Sequence, residues 1–139
     1  MASSSSETRR GGHHSPAKDY AKFLAALMSD PQTIQRIIEA PVNVDQKHDL
    51  GWGLGWGIER SKSETFLWQW GSNPGYRAFV MASASTGDAV VILTNSENGL
   101  PIAEPIVTAV LPGSHSAFKF HMLREGISHF LCENFDWCI

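Results

Sequence analysis

From Gly51 to Ile58 the chain reads Gly-Trp-Gly-Leu-Gly-Trp-Gly-Ile, with a large apolar residue at each even position and glycine at each odd one. A period of two belongs to extended backbone, whose side chains point alternately to opposite faces, so the octet predicts a strand with one buried face. The even spacing then sets Trp52 and Trp56 on the same face. The bare face constrains the fold more. Glycine weakens a strand, and one reason to tolerate it is close approach of another backbone or a ligand.

Upstream of the octet the period is helical. Tyr20, Phe23, Leu24, Leu27 and Met28 fall at i, i+3, i+4, i+7 and i+8, one face of an amphipathic helix. Ser15 suits its N-cap and Pro16 its first position, where a missing N–H costs nothing. Asp30-Pro31 repeats that start signal, Ile34, Ile37 and Ile38 line one side of a second short helix, and Pro41 stops it. Residues 1–14 are Ser-, Arg-, Gly- and His-rich and carry too little apolar surface to order themselves, so they read as a disordered leader.

Downstream of the octet come more strands. One runs from about Glu64 to Trp70, and Ser72-Asn73-Pro74-Gly75 has turn chemistry. The next covers Tyr76 to about Ala84, with a hairpin turn at Thr86-Gly87-Asp88. Ala89-Val90-Val91-Ile92-Leu93 is a continuous β-branched run, as expected of a strand buried on both faces, and Asn95-Ser96-Glu97-Asn98-Gly99 closes it. Ile102, Ile106, Val110 and Leu111 return to helical spacing; Pro105, about one turn in, delays that helix or bends it. Short turns favour an antiparallel meander. The fold class is therefore α+β: an antiparallel sheet of about four strands flanked by N- and C-terminal helices. The tail from Ser114 has no clear periodicity; Phe118, Met122 and Leu123 suit a helix that Gly126 interrupts, and residues 119–139 are left unplaced.

Composition excludes several function classes. The net charge is −3 with no Lys/Arg block, which argues against a nucleic-acid surface. No apolar run nears the ~18 residues of a membrane span, and the polar N-terminus has no signal-like apolar region. The histidines (His13, His14, His48, His115, His121 and His129) lack zinc-ligand spacing, so no metal or other cofactor is expected. Cys132 and Cys138 fix neither a disulfide nor a compartment.

Three ordered pieces carry a family resemblance: Gly53-Leu54-Gly55-Trp56-Gly57, then Gln69-Trp70-Gly71-Ser72-Asn73-Pro74-Gly75-Tyr76, then Val91-Ile92-Leu93-Thr94-Asn95-Ser96. Together they resemble the last third of the serine β-lactamase and penicillin-binding-protein superfamily, closest to its class C-like branch. Asp19-Tyr20-Ala21-Lys22-Phe23-Leu24 and Ala109-Val110-Leu111-Pro112-Gly113 fit the same order, so the resemblance spans about residues 15–118. Such enzymes act through a Ser-x-x-Lys nucleophile, a Tyr-x-Asn or Ser-x-Asn loop, and a Lys-Thr-Gly or His-x-Gly triplet on a cleft-lining strand.

The resemblance places the third triplet on Gln69-Trp70-Gly71 and assigns one oxyanion N–H to Ser72. Gly71 has an independent reason, since without a Cβ a substrate can lie against the strand. Gln69 departs from the pattern: its neutral amide donates a hydrogen bond but brings no charge to a substrate carboxylate. The other two elements have only decoys. Ser15-Pro16-Ala17-Lys18 lies at a helix start, with Ser15 and Lys18 on its polar face, and Ser96-Glu97-Asn98 follows the triplet where the family order puts it before. The implied function is that of a β-lactamase-related serine hydrolase fragment, without nucleophile and inactive alone. It would meet a small acyl substrate only when completed, and its exposed apolar faces invite self-association. Two alternatives stay open: a non-catalytic module built on Trp52, Trp56, Trp68 and Trp70, or a mispredicted reading frame.

Overall fold

The computed structural model describes residues 15–123. The leader, Cys132, Cys138, His13, His14 and His129 lie outside the described residues. The elements are α1 (Ala17–Met28), α2 (Pro31–Glu39), β1 (Val42–Asp45), β2 (Leu50–Gly53), β3 (Trp56–Arg60), β4 (Thr65–Asn73), β5 (Tyr76–Ser83), β6 (Ala89–Thr94) and α3 (Ala103–Val110). Short 3-10 turns lie at Gln46–His48, Leu100–Ile102 and Ser116–Lys119. The strands form one antiparallel sheet in the order β1-β2-β3-β4-β5-β6. The fold is α+β with flanking helices, as expected. None of the helices is long and apolar enough to cross a membrane, among the described residues.

Six strands replace the expected four for two reasons. Strand β1 is short and mostly exposed, so it leaves no alternation of burial to read. The glycine octet is a hairpin rather than one strand. Leu54 and Gly55 both take positive φ, 47° and 88°, the backbone of a tight two-residue turn whose twist suits a hairpin. A two-residue turn preserves the even spacing of the sequence while reversing the chain. Trp52 pairs with Gly57, and Gly53 with Trp56. Because directly opposed residues share a face, Trp52 and Trp56 lie on opposite faces of the sheet.

The close approach implied by the glycines is internal to the chain. A Cβ at Gly53 would strike the Ile37 carbonyl of α2, and one at Gly57 would strike the Trp68 ring. Each face of the sheet carries its own core. On one, Phe66, Trp68, Phe79 and Met81 pack against Ala103 and Val107 of α3 and against Phe118, Phe120 and Leu123. On the other, Trp56, Ile58, Leu67 and Val80 pack against Leu24 of α1 and Ile34 and Ile37 of α2. The segment beyond Ser114, aperiodic in sequence, is anchored by Phe118, Phe120 and Leu123, all buried, while Met122 is exposed.

The helices follow the sequence in place but not in every detail. Asp30 caps α2 as expected, accepting from the Gln32 and Thr33 N–H groups. At α1 the cap is Pro16 and not Ser15, whose hydroxyl donates to the Pro16 carbonyl. Leu24 is the one fully buried residue of α1, and Phe23 is exposed. In α3 the buried stripe is Ala103, Val107 and Leu111, with Ile102, Ile106 and Val110 outward. Both stripes have the same four-residue spacing, so periodicity does not choose between them; the entry through a 3-10 turn sets the helix phase.

Candidate functional site

Strand β4 is unequally paired along its two edges. Against β5 it pairs from Phe66↔Ser83 to Asn73↔Tyr76, its whole length. Against β3 it pairs only from Arg60↔Thr65 to Gly57↔Trp68. Beyond Trp68 the second edge therefore carries no ladder partner among the described residues. That bare edge coincides with Gln69, Trp70, Gly71 and Ser72.

The four residues do different things there. The Gln69 side chain donates from Nε2 to the Gly55 carbonyl (2.7 Å), and its Oε1 accepts the Trp70 N–H (2.9 Å). Its amide thus ties the β2–β3 turn to the start of the bare edge. The Trp70 N–H points to that edge, and in an antiparallel strand residues two apart direct their backbone groups the same way. The Ser72 N–H consequently faces the bare edge as well. The Trp70 ring turns into the aromatic layer, edge-on to Trp52 and Phe120 with centroids 5.7 Å away in each case. Gly71 is unlike Gly53 and Gly57: a Cβ there would meet only Ala78 Cβ at an ordinary 3.5 Å. Internal packing does not require glycine at this position. Ser72 is exposed.

Just past Ser72 the hairpin turns on Pro74 and Gly75, the latter at φ 77°, the residues and sign of φ that a type II turn favours. Glu97 accepts the Gly75 N–H (3.1 Å), linking this turn to the loop after β6. Arg77 pairs with Ser72 across the ladder, and its Nη1 donates to the Asn73 and Tyr76 carbonyls (2.7 and 2.8 Å). It is a cation at the β4–β5 hairpin, on the edge of β4 opposite the bare one. Sequence reading passed over Arg77 because a strand arginine is unremarkable until its cross-strand partner is known.

The decoy elements have local structural roles. Lys18 is exposed, and Ser96 Oγ accepts the Asn98 N–H (3.1 Å) within an exposed turn. A second Ser-x-x-Lys, Ser116-Ala117-Phe118-Lys119, escaped the sequence reading. The Ala117 N–H donates to Glu59 (2.7 Å), and Phe66, which pairs with Glu59 across the ladder, lies six residues before Ser72 on β4. At ~3.3 Å per residue Phe66 and Ser72 are roughly 20 Å apart along β4, so this segment is tethered at the end of β4 opposite Ser72, and Lys119 is exposed.

The same end of the sheet holds a buried polar pair that the sequence did not announce. Glu59 and His115 are 1% and 2% exposed. His115 Nδ1 lies 3.1 Å from Glu59 Oε1, and Nε2 donates to the Leu111 carbonyl at 2.8 Å. The hydrogen bond to Glu59 raises the His115 pKa, burial opposes the rise, and the Leu111 carbonyl adds to it. Phe66 packs edge-on against the imidazole. The pair fastens the segment after α3 to β3. Alternation along β3 gave no sign of it, since a glutamate next to Ile58 reads as solvent-facing.

The family model described as Beta-lactamase matches residues 3–111, well over half of the chain. The chain belongs to the Beta-lactamase family. No curated protein and no solved structure gives a match. The matched span contains the six strands and three α-helices of the described residues and the bare edge of β4, and it supports a β-lactamase-related hydrolase. His115 lies beyond the matched span.

Proposed function

We propose that this chain supplies the strand wall of a serine acyl-hydrolase site, with the Ser72 N–H as one oxyanion donor, and that it turns over no substrate by itself. The observation carrying this reading is the unpaired edge of β4 at Trp70–Ser72, beside a glycine that no internal contact requires. An acyl substrate laid along that edge would have its carbonyl within reach of a preorganised N–H, a donor type whose loss typically costs ~10²–10³ in rate. The substrate is a small acyl compound, an ester, amide or lactam, and not a nucleic acid. Gln69 ties the β2–β3 turn to the edge and brings no charge to a substrate anion.

The reaction also needs a nucleophile and a base in the same cleft. Ser15 and Lys18 are unsuited because Lys18 is exposed, whereas a lysine acting as base needs a desolvated site that lowers its pKa. Ser116 is unsuited for the same reason, since Lys119 is exposed. The test is hydrolysis of a chromogenic β-lactam and a p-nitrophenyl ester by the purified chain. The expected rate equals that of buffer, unchanged by Ser15→Ala or Ser116→Ala. Turnover above buffer that either substitution abolished would overturn the proposal. Self-association through exposed apolar surface is part of the same reading.

A further inference from the structure

The segment after α3 returns across the aromatic face of the sheet, and it is held there in two different ways. Its body is apolar: Phe118, Phe120 and Leu123 are buried, and the Phe120 ring stands edge-on to Trp68 and Trp70 at 5.5 and 5.7 Å. Its root is polar. Among the described residues, the hydrogen bonds that tie residues 114–123 to the rest of the chain run from His115 to Glu59 and to the Leu111 carbonyl, and from the Ala117 N–H to Glu59. The Phe120 and Leu123 N–H groups bond within the segment, to Ala117 and Phe120, and the segment adds no strand to the sheet. Both imidazole nitrogens of His115 thus face acceptors. A neutral imidazole carries a single N–H, so only the imidazolium satisfies the two. Losing that proton leaves a buried acceptor unpaired, which costs the desolvation of that group. Just before the root, Gly113 takes φ 134° between exposed Pro112 and Ser114, with open space where a Cβ would lie. Beneath the body, fully buried Trp68 has no acceptor for its Nε1–H among the described residues. Closure therefore leaves a donor unpaired that opening would return to solvent.

We infer that residues 114–123 form a proton-operated strap: with His115 protonated it is closed over Trp68 and Trp70, and loss of that proton frees it to swing about Gly113 and bare the Trp52, Trp68 and Trp70 rings. The charged groups around His115 come from several elements. Strand β3 supplies Glu59, with Arg60 next along the chain; α3 supplies Glu104; the Gln46–His48 turn, which touches Ser116–Lys119, carries Lys47 and His48, the latter paired with Asp45; β4 contributes only the Phe66 ring. The Glu59 hydrogen bond raises the His115 pKa above its ordinary 6.5, burial opposes the rise, and the Leu111 carbonyl and Glu104 add to it. The strap is accordingly most firmly closed below pH 6.5 and opens as pH rises through the folded value. Trp70 belongs to the bare edge of β4, so the device bears on the candidate site, but the inference does not depend on the acyl-hydrolase reading.

The experiment is amide hydrogen exchange of the full chain across a pH series, expressed as protection factors so that the intrinsic pH dependence of exchange cancels. Protection of the Ala117, Phe120 and Leu123 amides is expected to fall by up to about tenfold per pH unit between 6.5 and the folded His115 value. The amides of β4 and β5 are expected to hold steady, and tryptophan emission to shift to the red over the same range. His115→Phe is expected to show low strap protection with no pH slope. His48→Gln, which removes the neighbouring histidine, is expected to keep the slope. Strap protection independent of pH in wild type, strap and β4 amides losing protection together, a slope that survives His115→Phe, or one that vanishes in His48→Gln would each overturn the inference. If His115→Phe fails to fold, wild type and His48→Gln decide. Hydrolysis assays read the other proposal, so the two fail separately.

Discussion

Replacing His115 by phenylalanine isolates the polar work of the buried pair. Phe keeps a ring of similar size against Phe66, so little packing is lost, but both imidazole nitrogens disappear. Glu59 then retains one donor, the Ala117 N–H, and the Leu111 carbonyl loses its imidazole donor. Removing one partner of a buried pair typically costs about 3–5 kcal/mol, because the remaining charge stays desolvated. The retained Ala117 bond favours the lower end, about 3 kcal/mol. At about 4 °C per kcal/mol for a domain near this size, Tm falls by about 12 °C. The pH dependence supplies a second readout. Since the folded pKa of His115 is raised, its contribution is complete below the unfolded value of about 6.5 and is lost as pH rises through the folded value. Wild type should therefore lose stability as pH rises above about 6.5, and His115→Phe should not show that component. Urea melts across that range, completed by Glu59→Gln and the double variant, give the coupling energy. A His115→Phe variant within about 1 kcal/mol of wild type, or one with an undiminished alkaline loss, would refute the reasoning.

Two further substitutions separate structural glycines from the candidate site. Gly57→Ala drives a Cβ into the Trp68 ring and should cost at least the ~1–3 kcal/mol of overpacking, read from the denaturant midpoint. Gly71→Ala meets only Ala78 and should stay within about 0.5 kcal/mol of wild type; a loss as large as that at Gly57 would show that Gly71 is bare for packing reasons. Gln69→Ala removes two hydrogen bonds at the rim of the bare edge. Faster exchange of the Trp70 amide and a cost of about 1 kcal/mol are expected, and an unchanged Trp70 amide would mean that the clamp does not persist in solution.

The sheet was legible because strand and turn chemistry are local. The Asn73-Pro74-Gly75-Tyr76 turn, the break near Thr86-Gly87-Asp88 and the β-branched run of β6 each state their structure in a few adjacent residues. What failed was information that a period does not contain. A two-residue turn hidden inside an alternating octet changes no spacing, so Trp52 and Trp56 seemed to share a face that the hairpin separates. Two stripes of equal spacing on α3 differ only in phase, and side-chain size pointed to the wrong one. The Glu59–His115 pair joins residues 56 positions apart, and no local pattern encodes so distant a partner.

The site divides along the same line. Gly71 and Ser72 were picked out from motif order, and the ladder shows that the triplet lies where β4 no longer pairs with β3 but still pairs with β5. Gln69 was picked out in the same way, and its side chain bonds to the Gly55 carbonyl, fourteen residues away. A lysine or histidine at this position would carry charge toward a substrate. The glutamine instead spends its donor on a backbone carbonyl and its acceptor on the Trp70 N–H, which removes Trp70 from the groups free to bind along the edge. Along that edge the Ser72 N–H, next to the Pro74-Gly75 turn, is therefore the first that no Gln69 side-chain bond occupies.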